Sequence, residues 1–411
     1  MTKKVAVIGA GILGINTAYF LAKKGMHVSV YDSNRYAGME TSYSNGAQIS
    51  VCNSETWTQW ENVSKGIQWM FKDDAPLLFN PIPNLLDPKG TYSKYMWILN
   101  FFLTTALGRY KKNSENAFLI SLKSRDLYFK IADEEGIEFD LLKKGIIHFY
   151  NSQNDLKKAI SKKRWIESMG CEWEVLSQDK VFEIEPSLRG NNAIVGGIYT
   201  KSDATGDIHK YCINLSEILK KKYEVNFHFQ EEVQDIIGDK VKTVLTKKGD
   251  QDFDSVIICA GVETQRFANK FGDNFRIYPV KGYSVTIDLK DDLSRSAAPF
   301  VSLLDDPNKL VASRLGNKLR IAGTAELAGY NKDIRANRIK PLLNWVEKLF
   351  PEVRIDNYTP WAGLRPMTPD MMPLIFESRA KGIFYNTGHG HLGWTLGAAT
   401  GDLLAEKMIN E

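Results

Sequence analysis

Lys4-Val5-Ala6-Val7-Ile8-Gly9-Ala10-Gly11-Ile12-Leu13-Gly14 opens the chain. Lys4 to Ile8, with four apolar residues after the lysine, make a short run suited to burial in a parallel sheet, and they lead directly into a Gly-x-Gly-x-x-Gly turn. Gly9 permits the tight turn, Gly11 lets backbone amides approach a pyrophosphate, and Gly14 lets the next helix pack closely on the sheet. That helix continues through Thr17, Ala18, Phe20 and Leu21 and stops at Gly25. A second strand, His27 to Tyr31, then delivers Asp32, which follows Gly14 by 18 residues. An acid at that spacing hydrogen-bonds an adenosine ribose and disfavours a 2′-phosphate. Strand, turn, helix, second strand and acid in register predict a dinucleotide site for FAD or NAD, with the phosphates on a helix N-terminus.

The pattern breaks after the second strand. A nicotinamide dehydrogenase of this class runs on through further βα units, whereas here a polar stretch follows, Glu40 through Gln48. Another buried strand, Phe253 to Cys259, ends in Ala260-Gly261, and a final strand, turn and helix fill Gly382 to Met408. The nucleotide domain is therefore read as assembled from distant pieces. In the last one, Gly388-His389-Gly390-His391-Leu392-Gly393 precedes a helix starting at Trp394 and containing Gly397, Ala398 and Ala399. Its positive N-terminus suits the negative charge that gathers on a reduced flavin. The same glycines also suit a helix packed in a core.

Length and composition bound the rest. A chain of 411 residues exceeds a single core and predicts two or three domains. Hydrophobic residues make up 43% and charged residues 25%, so order is expected nearly throughout. Net charge is +4, with lysines dispersed along the chain, which argues against a nucleic-acid partner. Cys52, Cys171, Cys212 and Cys259 are widely spaced and form no CxxC or His/Cys ligand pattern. Neither a disulfide framework nor a zinc site is expected, and a reducing compartment fits. The first strand begins within a few residues of Met1, leaving no room for a cleavable secretion leader.

The most apolar window, Tyr95 to Leu107, holds 13 residues, against the roughly 20 needed to span a bilayer. With Lys94, Arg109, Tyr110, Lys111 and Lys112 around it, the window 94–112 reads either as an interfacial helix or as a core helix of a second domain. Further helices are predicted over Ser114–Glu135, Asp155–Met169, His209–Lys222 and Arg335–Phe350, and strands over Val241–Leu245, Phe275–Leu289, Phe300–Leu304, Lys309–Arg314 and Lys318–Ala322.

Several of these segments together carry a resemblance over essentially the whole chain. They are the glycine turn with Asp32, Ser44-Asn45-Gly46-Ala47-Gln48, Asp203-Ala204-Thr205-Gly206-Asp207 and Pro279-Val280-Lys281-Gly282-Tyr283. Gly323-Thr324-Ala325-Glu326, Gly363-Leu364-Arg365-Pro366-Met367-Thr368-Pro369-Asp370 and Gly388 to Thr395 complete the set. The chain resembles bacterial, quinone-linked D-amino acid dehydrogenases (small subunit type), within the superfamily of D-amino acid oxidase, glycine oxidase and sarcosine oxidase.

The resemblance implies an α/β fold: a discontinuous Rossmann-like FAD-binding domain, residues 1–60, 176–274 and 361–411, and a second α+β substrate domain, 61–175 and 275–360, with a mainly antiparallel sheet. It implies FAD contacts at Gly9, Ala10, Gly11, Ile12, Leu13, Gly14, Asp32, Ser33, Ser44, Asn45, Gly46, Ala47, Gln48, Val233, Ala260, Gly261, Arg365, Gly390, His391, Leu392, Gly393, Trp394 and Thr395. Arg365 matches the arginine that clamps the substrate carboxylate, a role for which a planar guanidinium is suited; an ion-pair arginine at the surface is the alternative. Tyr283 is a second candidate for substrate contact, or else a packing residue. The implied reaction is hydride transfer from Cα of a D-amino acid to the flavin, yielding a 2-oxo acid and ammonia, with electrons passing to a quinone-type acceptor; the implied location is cytoplasmic, with a peripheral association with the inner face of a bacterial inner membrane as the finer expectation. Amine oxidation of glycine, sarcosine, D-proline or D-hydroxyproline, and a non-catalytic flavin subunit, are the competing readings.

Two departures stand out. Asn45-Gly46-Ala47-Gln48 replaces the more usual Asn-Ala-Gly-Gln order, and His391 occupies a position where relatives often carry a small hydroxyl residue. His391 is read either as a group beside the flavin or as a solvated loop histidine.

Overall fold

The computed structural model describes residues 3–69, 77–79 and 86–410. Within them, the apolar run Lys4–Ile8 pairs in parallel with His27–Asp32 on one side and Ser255–Ile258 on the other. The sheet extends to Asn226–Phe229 beyond His27–Asp32, and to Ile383–Thr387 and the antiparallel edge strand Leu374–Glu377 beyond Ser255–Ile258. Strands far apart in sequence thus form one six-stranded sheet, as the scattered apolar runs predicted. Helices Ile12–Lys23, Ile208–Lys222 and Gly393–Ile409 cover one face of it, where Ile15, Tyr19, Leu215 and Leu404 pack in a common core. A three-stranded antiparallel unit, Val233–Ile237, Lys242–Thr246 and Gly249–Phe253, adds Val233, Ile236 and Val244 to the core on the other face.

The second sheet has nine strands and is mostly antiparallel. Its order runs Tyr358–Met367, Tyr278–Asp288, Lys318–Glu326, Leu310–Leu315, Ser302–Asp305, Ile146–Tyr150, Gly196–Thr200 and Glu174–Ser177, with Leu77–Leu78 beside Lys318–Glu326. Helix Ala336–Leu349 packs against one face through Ile339, Leu342 and Val346. The opposite face meets the loop 44–48: Ser284 Oγ and Ser313 Oγ donate to the carbonyls of Ser44 and Gly46, and Gln48 Nε2 donates to Ser302 Oγ.

Three features depart from the sequence reading. Strand Gly196–Thr200 falls inside the segments assigned to the nucleotide domain and strands Glu174–Ser177 and Tyr358–Met367 straddle their boundaries, yet all three pair in the second sheet. Helix Tyr110–Glu135, assigned to the substrate domain, packs Tyr128, Ile131 and Ala132 into the nucleotide core against the C-terminal helix. Cys52 and Cys171 form a disulfide with Cα atoms 6.1 Å apart, buried beside Phe118 and Ile166, which corrects the expectation that the cysteines carry no disulfide framework. Spacing along the chain cannot reveal a pairing 119 residues apart.

Helix Pro88–Ala106 contains the apolar window. Asp87 caps it by accepting from the Gly90 amide, and Pro88 fits the first turn, where no amide partner is needed. One side packs inward, with Trp97 Nε1 donating to the Met367 carbonyl 2.8 Å away. Tyr92, Leu99, Leu103 and Leu107 lie exposed on the other side.

Candidate active site

The glycine turns all follow the C-terminal ends of parallel strands, the edge where open α/β sheets bind ligands. Gly9 has φ +104°, open to glycine at no cost, and a Cβ there would stand 2.6 Å from the Cys259 carbonyl oxygen. A Cβ on Gly14 would stand 1.8 Å from the Gly9 oxygen, so helix and turn meet backbone to backbone. Around Gly11 the nearest group is the Ser42 hydroxyl, 3.6 Å from a built Cβ, so the backbone there borders open space. Asp32 Oδ2 accepts from the Ala10 amide at 2.7 Å, and Oδ1 accepts from the Asn34 amide and side chain. Burial raises the Asp32 carboxyl, against the pull of those donors. Ser33 is exposed just beyond. Ala260 and Gly261 follow the strand Ser255–Ile258, Gly261 at φ +54°, and Val233 opens the three-stranded unit with its carbonyl held by Arg266 Nη2.

An extended dinucleotide fits this frame. Gly9 to Gly14 would hold the pyrophosphate on the N-terminus of helix Ile12–Lys23, Asp32 would take the ribose, and the loop 44–48 would lie along the flavin ring. That loop is fixed from both sides. Asn45 Oδ1 accepts from the Ala47 amide, and the Gly206 amide donates to the Ala47 carbonyl. Buried Asp203 accepts from the Val51 amide at 3.0 Å and from Thr200 Oγ1 at 2.9 Å. The segment Asp203 to Asp207 is therefore a brace for the loop. Ala47 takes φ +61°, the left-handed conformation a glycine would adopt more easily, which is the structural trace of the Gly46-Ala47 order.

At the C-terminal piece, Gly390–Leu392 makes a 3₁₀ turn and helix Gly393–Ile409 follows. The Trp394 ring turns into the core against Tyr128, Tyr211 and Phe139, so only its backbone belongs to the turn; Thr395 is buried beside it.

Arg365 sits on the face of the second sheet that meets loop 44–48. Its Nη1 donates to the Thr324 carbonyl at 2.9 Å, and its guanidinium lies over Gly282. Among the described residues no carboxylate pairs with it, and burial brings its pKa down to about 10. Thr324 has φ +57°, unusual for a β-branched residue; such a conformation persists where surroundings over-determine it and clusters at functional sites. Trp361 lies over Gly363 on the same face.

Tyr283 does not join this site. Val280 pairs with Arg365 and Tyr283 with Ala362, and side chains alternate along a strand, so Tyr283 points to the opposite face. There it packs with Val285 and Ile339, and its hydroxyl donates to Glu326 Oε2 at 2.6 Å, within a cluster that includes Lys281 and Arg335. Its candidacy as a substrate contact is corrected to a structural role. Trp57, which no sequence signal marked, does join: its indole stacks on the His391 ring with centroids 4.5 Å apart. His391 is thus not a solvated loop histidine. Half-buried and stacked on Trp57, it is held neutral by loss of hydration and then by the charges of Arg365 and Lys309, with its pKa depressed to about 3.

Comparison with known proteins places this geometry. The chain is 45% identical to D-amino acid dehydrogenase 3 of Mesorhizobium japonicum, over 99% of this chain and 97% of that protein. It is 36% identical to the D-amino acid dehydrogenase of Dechloromonas aromatica, over 98% and 96%. Among solved structures, glycine oxidase from Bacillus cereus superposes with TM-score 0.75 at 20% identity, covering 100% of this chain and 95% of that one. L-proline dehydrogenase from P. horikoshii superposes with TM-score 0.73 at 16% identity, covering 100% and 94%. At those identities the structural likeness speaks for the fold alone. The family model described as FAD dependent oxidoreductase, DAO, matches residues 4–407, and the chain belongs to that family.

Proposed function

We propose that this FAD-dependent enzyme oxidises small D-amino acids to 2-oxo acids and ammonia and passes the electrons to a quinone-type acceptor. The observation that carries the reading is the desolvated guanidinium of Arg365, which lies over Gly282 on the sheet face that meets loop 44–48 and pairs with no carboxylate among the described residues. A guanidinium in that state gains most by pairing bidentately with an anion such as an amino acid carboxylate. The D-amino acid dehydrogenase relatives, matched over nearly their whole length, support the choice of substrate.

FAD bound here supplies the two-electron acceptor that takes the hydride from Cα. The chain's own part is positional. Arg365 fixes the carboxylate, so Cα is presented on one side; Trp361, over Gly363 on the same face, and the stacked Trp57–His391 pair supply flat apolar surface for the substrate to lie against. Hydrolysis of the imino acid in solution completes the change. No nucleophilic side chain is required.

Quinones reside in membranes, and the exposed row Tyr92, Leu99, Leu103 and Leu107, with Arg109, Lys111 and Lys112 exposed at its end, supports a peripheral contact with the inner face of a bacterial membrane. No helix of the described residues is long and apolar enough to cross one.

Anaerobic mixing of the yellow protein with D-alanine, L-alanine, D-proline and glycine tests the substrate. Bleaching of the flavin by D-alanine is expected; bleaching by none sinks the reading, and bleaching by the L-enantiomer alone reverses its stereochemistry. Reoxidation of the reduced enzyme faster by a soluble quinone analogue than by dioxygen is the expected result for the acceptor.

A further inference from the structure

The geometry points to His391 as the group that receives the proton of the substrate ammonium, so that the amino acid enters hydride transfer as the free amine. This rests on the reading above that the substrate is an amino acid clamped by Arg365.

An amino acid at neutral pH carries an ammonium group, whose nitrogen has no lone pair to assist departure of hydride from Cα. Something must take that proton, and the site offers few takers. Glu326 lies behind the sheet, bound by Tyr283, Lys281 and Arg335. Asp306 is paired with Lys309. His389, on the same turn as His391, is buried and engaged by the Thr387 carbonyl and Thr400 Oγ1.

His391 is differently placed. Met367 bridges His389 in antiparallel fashion, so Arg365 and His391 lie two residues outward on the two facing segments. The ring is pinned by Trp57. Its Nδ1 is shut away from solvent without a hydrogen-bond partner. The residue is half-buried, and with Nδ1 shut away from solvent, Nε2 is the nitrogen the proposal assigns to the substrate. The charges that act on it are those of Arg365 and, less strongly, Lys309; both favour a neutral ring. A substrate carboxylate on Arg365 cancels the nearer of these charges and makes the imidazole more basic at the moment the ammonium arrives.

The step balances. One N–H bond of the ammonium breaks and its proton passes to Nε2; the freed nitrogen pair forms the C=N bond as the Cα–H pair leaves as hydride to the oxidised flavin. The products are a protonated imino acid, a histidinium and a flavin reduced by two electrons. The histidinium returns its proton to solvent when product leaves.

The test uses the holoenzyme, its FAD content verified by visible absorbance, and the variants His391→Thr and His391→Asn. For binding, 2-aminoisobutyrate carries carboxylate and ammonium but no Cα hydrogen to lose, and 2-hydroxyisobutyrate lacks the ammonium. Replacing His391 is expected to weaken the amino ligand about tenfold and leave the hydroxy ligand unchanged, read by perturbation of the flavin spectrum. Equal weakening of both, or of neither, overturns the proposal whether or not any amino acid is turned over. For catalysis, the apparent second-order rate of flavin reduction by D-alanine in the variants is expected to fall about a hundredfold at pH 7. It should then rise with unit slope in log–log form as pH increases, meeting the wild-type rate where free amine predominates in solution. Variant and wild-type profiles that run parallel would overturn it. Wild-type enzyme that binds both ligands but is bleached by no D-amino acid would refute the proposed function instead.

Discussion

The guanidinium of Arg365 rests on Gly282: a Cβ at that glycine would stand 2.3 Å from Nη2 and 2.5 Å from Cζ. Gly282→Ala is therefore expected to push the guanidinium off its seat without harming the fold, because the far end of a long side chain can move. Stability should change by less than about 1 kcal/mol, while the D-alanine concentration giving half-maximal flavin reduction rises at least tenfold. Arg365→Lys should behave similarly, since an ammonium cannot make the bidentate pair. Thermal unfolding and anaerobic titration check both. An unchanged half-saturation concentration would remove Arg365 from the substrate site.

The Cys52–Cys171 disulfide ties the segment that follows loop 44–48 to the end of helix Gln153–Glu167, where Lys163 Nζ also donates to the Cys52 carbonyl. Closing a loop of over 100 residues restricts the unfolded chain by an amount worth up to about 4–5 kcal/mol, and engineered cases deliver less. Reduction, or Cys171→Ser, is expected to lower stability by about 2–4 kcal/mol. The two remaining thiols, Cys212 and Cys259, are buried, and burial raises the Cys259 thiol to about 12. A thiol reagent should find no reactive group in the native protein, two after denaturation, and four after denaturation with reductant.

Acid should destabilise the protein before its carboxylates titrate. His148 and His389 are 1% and 2% exposed, and burial depresses each to about 3. In the unfolded chain each returns to about 6.5 and binds a proton below that value, so the stability they contribute is present above pH 6.5 and is lost progressively as pH falls toward 3. At pH 5 the loss is about 2 kcal/mol for each histidine. Denaturant midpoints compared at pH 7 and pH 5 test this, and a His148→Asn variant should show a shallower dependence. A flat profile would mean that these rings charge freely in the folded state.

What could be read in the sequence divides along physical lines. Turn glycines and strand runs act locally, so Gly9 to Gly14, Asp32, Ala260-Gly261 and Gly388 to Gly393 declared a nucleotide frame before any pairing was known. The parallel pairing of Ser255–Ile258 with Ile383–Thr387 then brought these pieces together. Parity on a strand is not local: whether Tyr283 or Gly282 shares a face with Arg365 depends on the register with Tyr358–Met367, which runs unbroken there, while the irregularity between Lys281 and Tyr283 lies in the pairing with Lys318–Glu326. Trp57 gave no signal because its role comes from the distant His391. Helix Tyr110–Glu135 has the amphipathic pattern of any packed helix, and that pattern does not say which core it joins.

The exposed side of helix Pro88–Ala106 makes the last prediction. Leu99 and Leu103 are 48% and 51% exposed, while their own helix anchors through Trp97 on the other side, so charges at 99 and 103 face water and leave the packing intact. A contact with lipid would bury those leucines at roughly 1.5–3 kcal/mol each, and the basic end of the helix would add attraction to anionic headgroups. Leu99→Glu with Leu103→Glu is therefore expected to lower sedimentation with vesicles of phosphatidylglycerol and phosphatidylethanolamine at least tenfold. Flavin reduction by D-alanine in solution should remain at its wild-type rate. Electron transfer to a quinone dissolved in those vesicles should fall together with the binding. Equal sedimentation of variant and wild type would assign the stripe to something other than a membrane, and slowed flavin reduction in solution would show that the helix had shifted against Met367.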